Sequence, residues 1–124
     1  MDFKIEANSG VPIYRQMVEQ LRDSILAGRL AAGEQLPSVR ELSAQVKINP
    51  LTVSKVYQTL ESEELLETRR GIGTYVNEKA KEITRDKRRE RIAKTVSQLV
   101  SEALVFELSE QEVIEMVKEK FKTR

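Results

Sequence analysis

Apolar residues recur along this chain with two different periods, and the changes of period mark out its elements. After Pro12, which suits the first position of a helix, Tyr14, Met17, Val18, Leu21 and Ile25 follow at helical spacing. Gly28 suits the position just past that helix. Ser38-Val39-Arg40-Glu41 has the S-x-x-E form of a capping box, and Val39, Leu42 and Val46 supply the stripe of a short second helix. Asn49 then reads as an N-cap and Pro50 as the first residue of a third helix. Its inward set is Val53, Val56, Tyr57 and Leu60, and it should end near Glu63 or Glu64.

The period then shortens. Leu65 to Thr68 and Thr74 to Val76 are strand-like, with Arg69-Arg70-Gly71-Ile72-Gly73 between them, which predicts a β-hairpin. Beyond Asn77 a stretch dense in both charge signs runs from Lys79 to Lys94. It passes into a helical stripe of Ile92, Val96, Leu99, Val100, Ala103 and Leu104. Ser109 and Glu112 form another capping box, opening a last helix with Val113, Ile114, Val117 and Phe121. The expected fold is mainly α with a small β-hairpin. Residues 1–77 should form a winged helix-turn-helix, and residues 78–124 a two-helix dimerisation segment.

Composition narrows what such a chain can do. With 40% hydrophobic and 33% charged residues in 124, it reads as a folded, helix-rich domain with a short appendage. Its longest apolar run, Ala103 to Phe106, is too short for a bilayer, and the charged N-terminus does not read as a signal peptide. Cys and His are both absent, which removes the usual zinc ligands and the commonest general base, so neither a metal site nor an enzyme is expected. The lack of Cys fits a reducing cytoplasm. A net charge of +1 says nothing about nucleic acid, so that case depends on where the charges sit.

Three helices followed by a hairpin is the element order of a winged helix-turn-helix. Two helices joined by a tight turn cross steeply, so the second can enter a major groove. The third helix is divided in the way this requires. Its outward set is Leu51, Thr52, Ser54, Lys55 and Gln58. Thr52 and Ser54 can bond phosphate or base, Lys55 can neutralise phosphate, and Gln58 can pair with adenine. Leu51 is odd on an exposed face. It either packs on a neighbouring element or meets a thymine methyl. Ser38 and Arg40 lie at the N-terminus of the second helix, where free N–H groups favour an anion. The bland alternative for Arg40 is a surface pair with Glu41 or Glu34. Arg69, Arg70 and Gly71 make a basic, narrow hairpin tip suited to a phosphate backbone or a minor groove, or else a plain solvated turn.

With these residues placed, the chain resembles the GntR superfamily of bacterial regulators, and most of all its short YtrA-type subfamily. The resemblance runs from Val11 to Val76. It is carried in order by Pro12-Ile13-Tyr14 with Gln16, Gly28-Arg29-Leu30, Gly33, Leu36 to Leu42, Asn49 to Val53, Tyr57, Leu60, Glu61 and Arg70 to Val76. It implies DNA contacts from Arg40, Asn49, Thr52, Ser54 and Gly71. Many members carry a basic residue early in the recognition helix, where this chain has Pro50 and Leu51. The resemblance also implies a homodimer on operator DNA, acting as a repressor of a neighbouring transporter-type operon. The stretch after Asn77 is too short for the large sensing or pyridoxal phosphate domains of other members.

The dimer core is expected from Ile92, Val96, Leu99, Val100 and Leu104 on one helix with Val113, Ile114, Val117 and Phe121 on the other. No cofactor is expected. A small-molecule effector between the tail helices stays open as a rival use of that surface. A winged helix serving protein–protein contact through Leu51 and the wing is the other rival, and Arg40, Lys55, Arg69 and Arg70 favour DNA over it.

Overall fold

In a computed structural model that describes residues 1–124, helix α1 (Ile13–Leu26) opens the regular structure. Its Gln16 and Gln20 clasp the segment before it. The Gln16 amide accepts from Glu6 N at 2.8 Å and donates to the Glu6 and Val11 carbonyls, both at 2.8 Å. Gln20 brackets the Lys4 backbone in the same way. Phe3 and Ile5 are thereby held against the core.

Helices α2 (Val39–Val46) and α3 (Pro50–Ser62) follow, each with the cap its sequence announces. Ser38 Oγ accepts from Glu41 N while Glu41 Oε1 accepts from Ser38 N, and Asn49 Oδ1 accepts from Leu51 N. The turn between them is tight because Lys47 takes a left-handed conformation with φ +56°. That lets Ile48 N reach the Ser43 carbonyl and brings the Ser43 hydroxyl onto the Ile48 carbonyl.

The hairpin is β2 (Leu66–Arg69) and β3 (Gly73–Val76), with Arg69 opposite Gly73 and Glu67 opposite Tyr75. A third strand, which the alternation did not reveal, completes the sheet. This is β1 (Gln35–Leu36), antiparallel to β3, so the order is β1-β3-β2. Two residues before a proline show no alternation to read. What fixes β1 is pairing with a distant edge, with Val76 N donating to the Glu34 carbonyl and Gly33 N to the Val76 carbonyl, both at 2.8 Å.

One core serves these elements. Met17, Leu21, Leu42, Val53, Val56, Leu60, Leu65, Leu66 and Val76 are essentially fully buried within it. Helix α4 (Ala80–Val105) begins in the same core, because Ala80 is 3% exposed and Ile83 packs alongside. The chain divides into two compact units, Met1–Lys87 and Arg88–Arg124. The sequence reading places its boundary at Asn77, and the residues from there to Lys87 pack with the first unit. The second unit holds the rest of α4 and helix α5 (Glu110–Thr123), which the Ser109–Glu112 capping box opens.

Candidate nucleic-acid interface

Three pieces of the first unit carry the residues singled out above: the N-terminus of α2, the outer face of α3, and the β2–β3 wing. Side-chain hydrogen bonds tie them together. The Tyr57 hydroxyl of α3 donates to the Pro37 carbonyl just before α2, at 2.7 Å. Glu61 of α3 accepts from the Thr68 hydroxyl of β2 at 3.2 Å. Gln35 of β1 reaches the Ile72 carbonyl in the wing loop at 3.5 Å. Burial, with the Glu41 carboxylate nearby, pushes the Tyr57 phenol well above its ordinary range, so it stays a neutral donor.

At the start of α2, the Ser38 hydroxyl and the Glu41 carboxylate are committed to each other's backbone. The backbone N–H of Ser38, with its hydroxyl second, holds the Glu41 carboxyl below its ordinary range. Arg40 is exposed and makes no ion pair with Glu41 or Glu34. Its guanidinium is therefore available at a helix N-terminus.

On α3, Asn49 is spent as the cap through its oxygen, leaving its amide N–H groups outward. Leu51 is 79% exposed and packs on no neighbouring element. Thr52 and Ser54 are half-buried, and Gln58 Nε2 lies 3.4 Å from the Ser54 hydroxyl, to which it donates. Lys55 takes a different direction. Its Nζ sits 4.5 Å from the centroid of the Tyr14 ring on α1, and the Tyr14 hydroxyl in turn is 2.7 Å from that of Thr59.

The wing differs from the expected pair of cations at the hairpin tip. Arg69 closes β2 rather than lying in the loop. Its guanidinium stacks 4.1 Å from the Tyr75 ring centroid and lies 3.8 Å from Glu67. The register explains this, since Arg69 opposes Gly73 and so lies diagonal to Tyr75 on the same face. Arg70, Gly71 and Ile72 form the exposed tip. Gly71 has φ +76° and open space around it, so the tip backbone can approach a ligand closely.

Three residues that organise this surface had no such role in the sequence: Tyr14, placed in the stripe of the first helix, Tyr75, placed in the second strand, and Gln35, placed in no element. Tyr75 alone had a signal, because a strand register places an aromatic diagonal to Arg69. Gln35 and Tyr14 act across elements whose packing periodicity does not specify.

The model of bacterial regulatory proteins of the gntR family matches residues 13–76, just over half of the chain and all the elements of the helix-turn-helix and wing. This chain belongs to the GntR family. It is 38% identical over 116 residues to the HTH-type transcriptional repressor YtrA of Bacillus subtilis, covering 94% of this chain and 89% of that one. Among solved structures it is similar to a transcriptional regulator from Oenococcus oeni, with TM-score 0.81 and 28% identity over 94% of this chain and 97% of that one. It is also similar to the DNA-binding domain of AraR in complex with operator ORE1, with TM-score 0.51 and 26% identity over 61% of this chain and 93% of that one. As a GntR-family member the chain is a DNA-binding transcription regulator rather than an enzyme. No helix in it is long and apolar enough to cross a membrane.

Proposed function

We propose that this GntR regulator is a cytoplasmic repressor that binds a two-fold symmetric operator as a homodimer, at a neighbouring transporter-type operon. Repression is suggested by the repressor name of the Bacillus subtilis relative, which matches along nearly the whole chain. The DNA contacts in this reading come from Ser38, Arg40, Asn49, Leu51, Thr52, Ser54, Lys55, Gln58, Arg69, Arg70 and Gly71. The exposure of Arg40 and Arg70 and the open tip at Gly71 support that set.

One observation carries the homodimer. In the second unit, Val96, Leu99, Val100, Leu104, Val113, Ile114 and Val117 line an apolar groove of about 540 Å³ between α4 and α5. Leu104 is 73% exposed, and Ile92 and Phe121, at 63% and 67%, extend the apolar surface beyond the groove. Two helices alone cannot cover such a stripe, and a second copy about a two-fold axis is the commonest way to do so. Paired winged helices would then read half-sites one helical turn, or a multiple of it, apart.

The test is selection of genomic DNA fragments by the purified chain, together with its mass in solution by light scattering. A dimer mass and a palindromic consensus upstream of its own operon support the reading. A monomer mass, or a consensus without two-fold symmetry, overturns it.

A further inference from the structure

We propose that Leu51 reads the 5-methyl group of a thymine in the operator, and that the outer stripe of α3 thereby selects A·T pairs. The inference deepens the DNA-binding reading above and depends on it.

Leu51 is out of place by every local criterion. Within Met1–Lys87 the other exposed large apolar side chains are Met1 at 38%, Val11 at 39% and Ile72 at 65%, against 79% for Leu51. Its position in the first turn of α3 does not require it. Asn49 caps the helix, Pro50 supplies the first helical residue, and the Leu51 backbone N–H is already satisfied by Asn49. Ile48 before the cap and Val53 four residues after it pack on the core, so they fill the two places where an apolar pair would brace the helix start. The Leu51 side chain adds nothing to that brace.

The chemistry of its neighbours narrows what can cover it. Residues three and seven positions along a helix share a face, which puts Ser54 and Gln58 in line with Leu51. The contact between Gln58 Nε2 and the Ser54 hydroxyl shows those two side by side. This stripe carries an apolar group, a hydroxyl and an amide, and no cation. Lys55 is drawn off it toward Tyr14. Guanine is read in the major groove mainly by Arg or Lys, adenine by Gln or Asn, and thymine presents a methyl group that only an apolar side chain complements. The stripe therefore matches an adenine with an adjacent thymine.

A protein partner fits the same surface less well. A protein-docking site needs a contiguous apolar patch with large anchors at its centre. Leu51 is a single leucine whose neighbours along the outer face of α3, Asn49, Thr52, Ser54 and Gln58, are all polar. One apolar point among polar ones suits one methyl group in a polar groove.

The experiment uses the full chain and a duplex that it selects from a random-sequence pool. That duplex is resynthesised with uracil in place of thymine, one position at a time, because uracil lacks only the methyl group. At one position in each half-site, binding should fall about fourfold, the effect of losing one buried methyl. Changing both half-sites should multiply the losses to about fifteenfold. Leu51→Ala should bind the thymine duplex more weakly and be indifferent to uracil at that position. Leu51→Met, still apolar, should keep the sensitivity. Restoring the methyl as 5-methylcytosine opposite guanine should recover part of the affinity relative to cytosine there.

If the wild-type chain binds thymine and uracil duplexes equally at every position, the inference falls and DNA binding stands. If Leu51→Ala loses as much on uracil as the wild type, some other group reads the methyl, and the inference again falls. If the chain selects no duplex at all, the DNA-binding reading itself fails and the exposed leucine belongs to a protein contact.

Discussion

The Tyr57 hydroxyl of α3 donates to the Pro37 carbonyl one residue before the α2 cap, at 2.7 Å. That bond fixes the N-terminus of α2, with Arg40 on it, relative to α3. Tyr57 is otherwise a core residue, 4% exposed. Tyr57→Phe keeps the packing and strands the Pro37 carbonyl. It should cost about 1 kcal/mol of stability, read as a lower urea midpoint at unchanged slope. Operator affinity should drop less than for loss of Arg40. An unchanged midpoint would mean that water replaces the phenol freely.

Arg40→Ala should leave the fold intact, because the side chain is exposed and unpaired. Its contribution appears only with DNA present. A charge-assisted phosphate contact is worth about 1.5–3 kcal/mol, so affinity should fall about tenfold or more at fixed salt. A gel-shift titration decides this, and equal affinity for both proteins rules out the contact.

In the wing, Arg70 and Arg69 should behave differently. Arg70 is an exposed tip cation, so Arg70→Ala should reduce the salt dependence of binding by about one phosphate contact. Arg69 is held by Tyr75 and Glu67, so part of the effect of Arg69→Ala should show as lost wing stability without DNA. Gly71→Val should weaken binding through geometry, since a β-branched residue resists the φ of +76° found there. A wild-type salt slope in Arg70→Ala would remove the wing tip from the phosphate backbone.

The helices were legible because their signals are local. Capping residues Ser38, Asn49 and Ser109 and the apolar spacing each act within one or two turns, and all three caps form. The hairpin was legible from its glycines. Strand β1 was not, because Gln35 and Leu36 are strand only by pairing with β3. At the interface, which residues are exposed was readable from helical phase. Where their charges go was not. Lys55 over Tyr14 and Arg69 over Tyr75 are contacts between elements, set by register and packing angle. The same holds for the start of α4, which its charge density assigns with the tail while Ala80, Ile83 and Thr84 are buried or packed against the core.

Acid should act through Glu63. Its carboxylate takes a two-pronged hydrogen bond from Arg22, at 2.9 and 2.6 Å, and lies 3.6 Å from Lys87. The Arg22 hydrogen bond is the main cause holding its carboxyl below the ordinary range, and burial opposes it. A lowered carboxyl stabilises the fold at pH above the ordinary carboxylate range, and that contribution disappears as pH falls through the lowered value. The groups are partly exposed, so screening leaves the pair worth about 1 kcal/mol. Glu63→Gln should therefore lower stability at neutral pH and match the wild type in strong acid. Equal stability of the two proteins at neutral pH would show that the pair contributes nothing.

Where the chain is cut should separate folding from dimerisation. A chain ending at Asn77 loses Ala80 and Ile83 from the core and Lys87 from its place beside Glu63. It should fold less stably for reasons unrelated to any dimer. A chain ending at Lys87 keeps all three and closes at the limit of the first unit. It should give a helical circular-dichroism spectrum and a cooperative melt close to that of the intact protein. What it lacks is the apolar groove of Val96, Leu99, Val100, Ile114 and Val117. Its mass in solution should then be that of a monomer. Its binding to a single half-site should be nearly unchanged, because Arg40, α3 and the wing are all present. Its binding to the full operator should be weaker by orders of magnitude, since tethering the second winged helix is what supplies avidity. Comparing the two affinities isolates the tail from the DNA-contacting surface. A dimer mass for the chain ending at Lys87, or full-site affinity equal to that of the intact protein, would place the interface within the winged helix and leave the groove for another role.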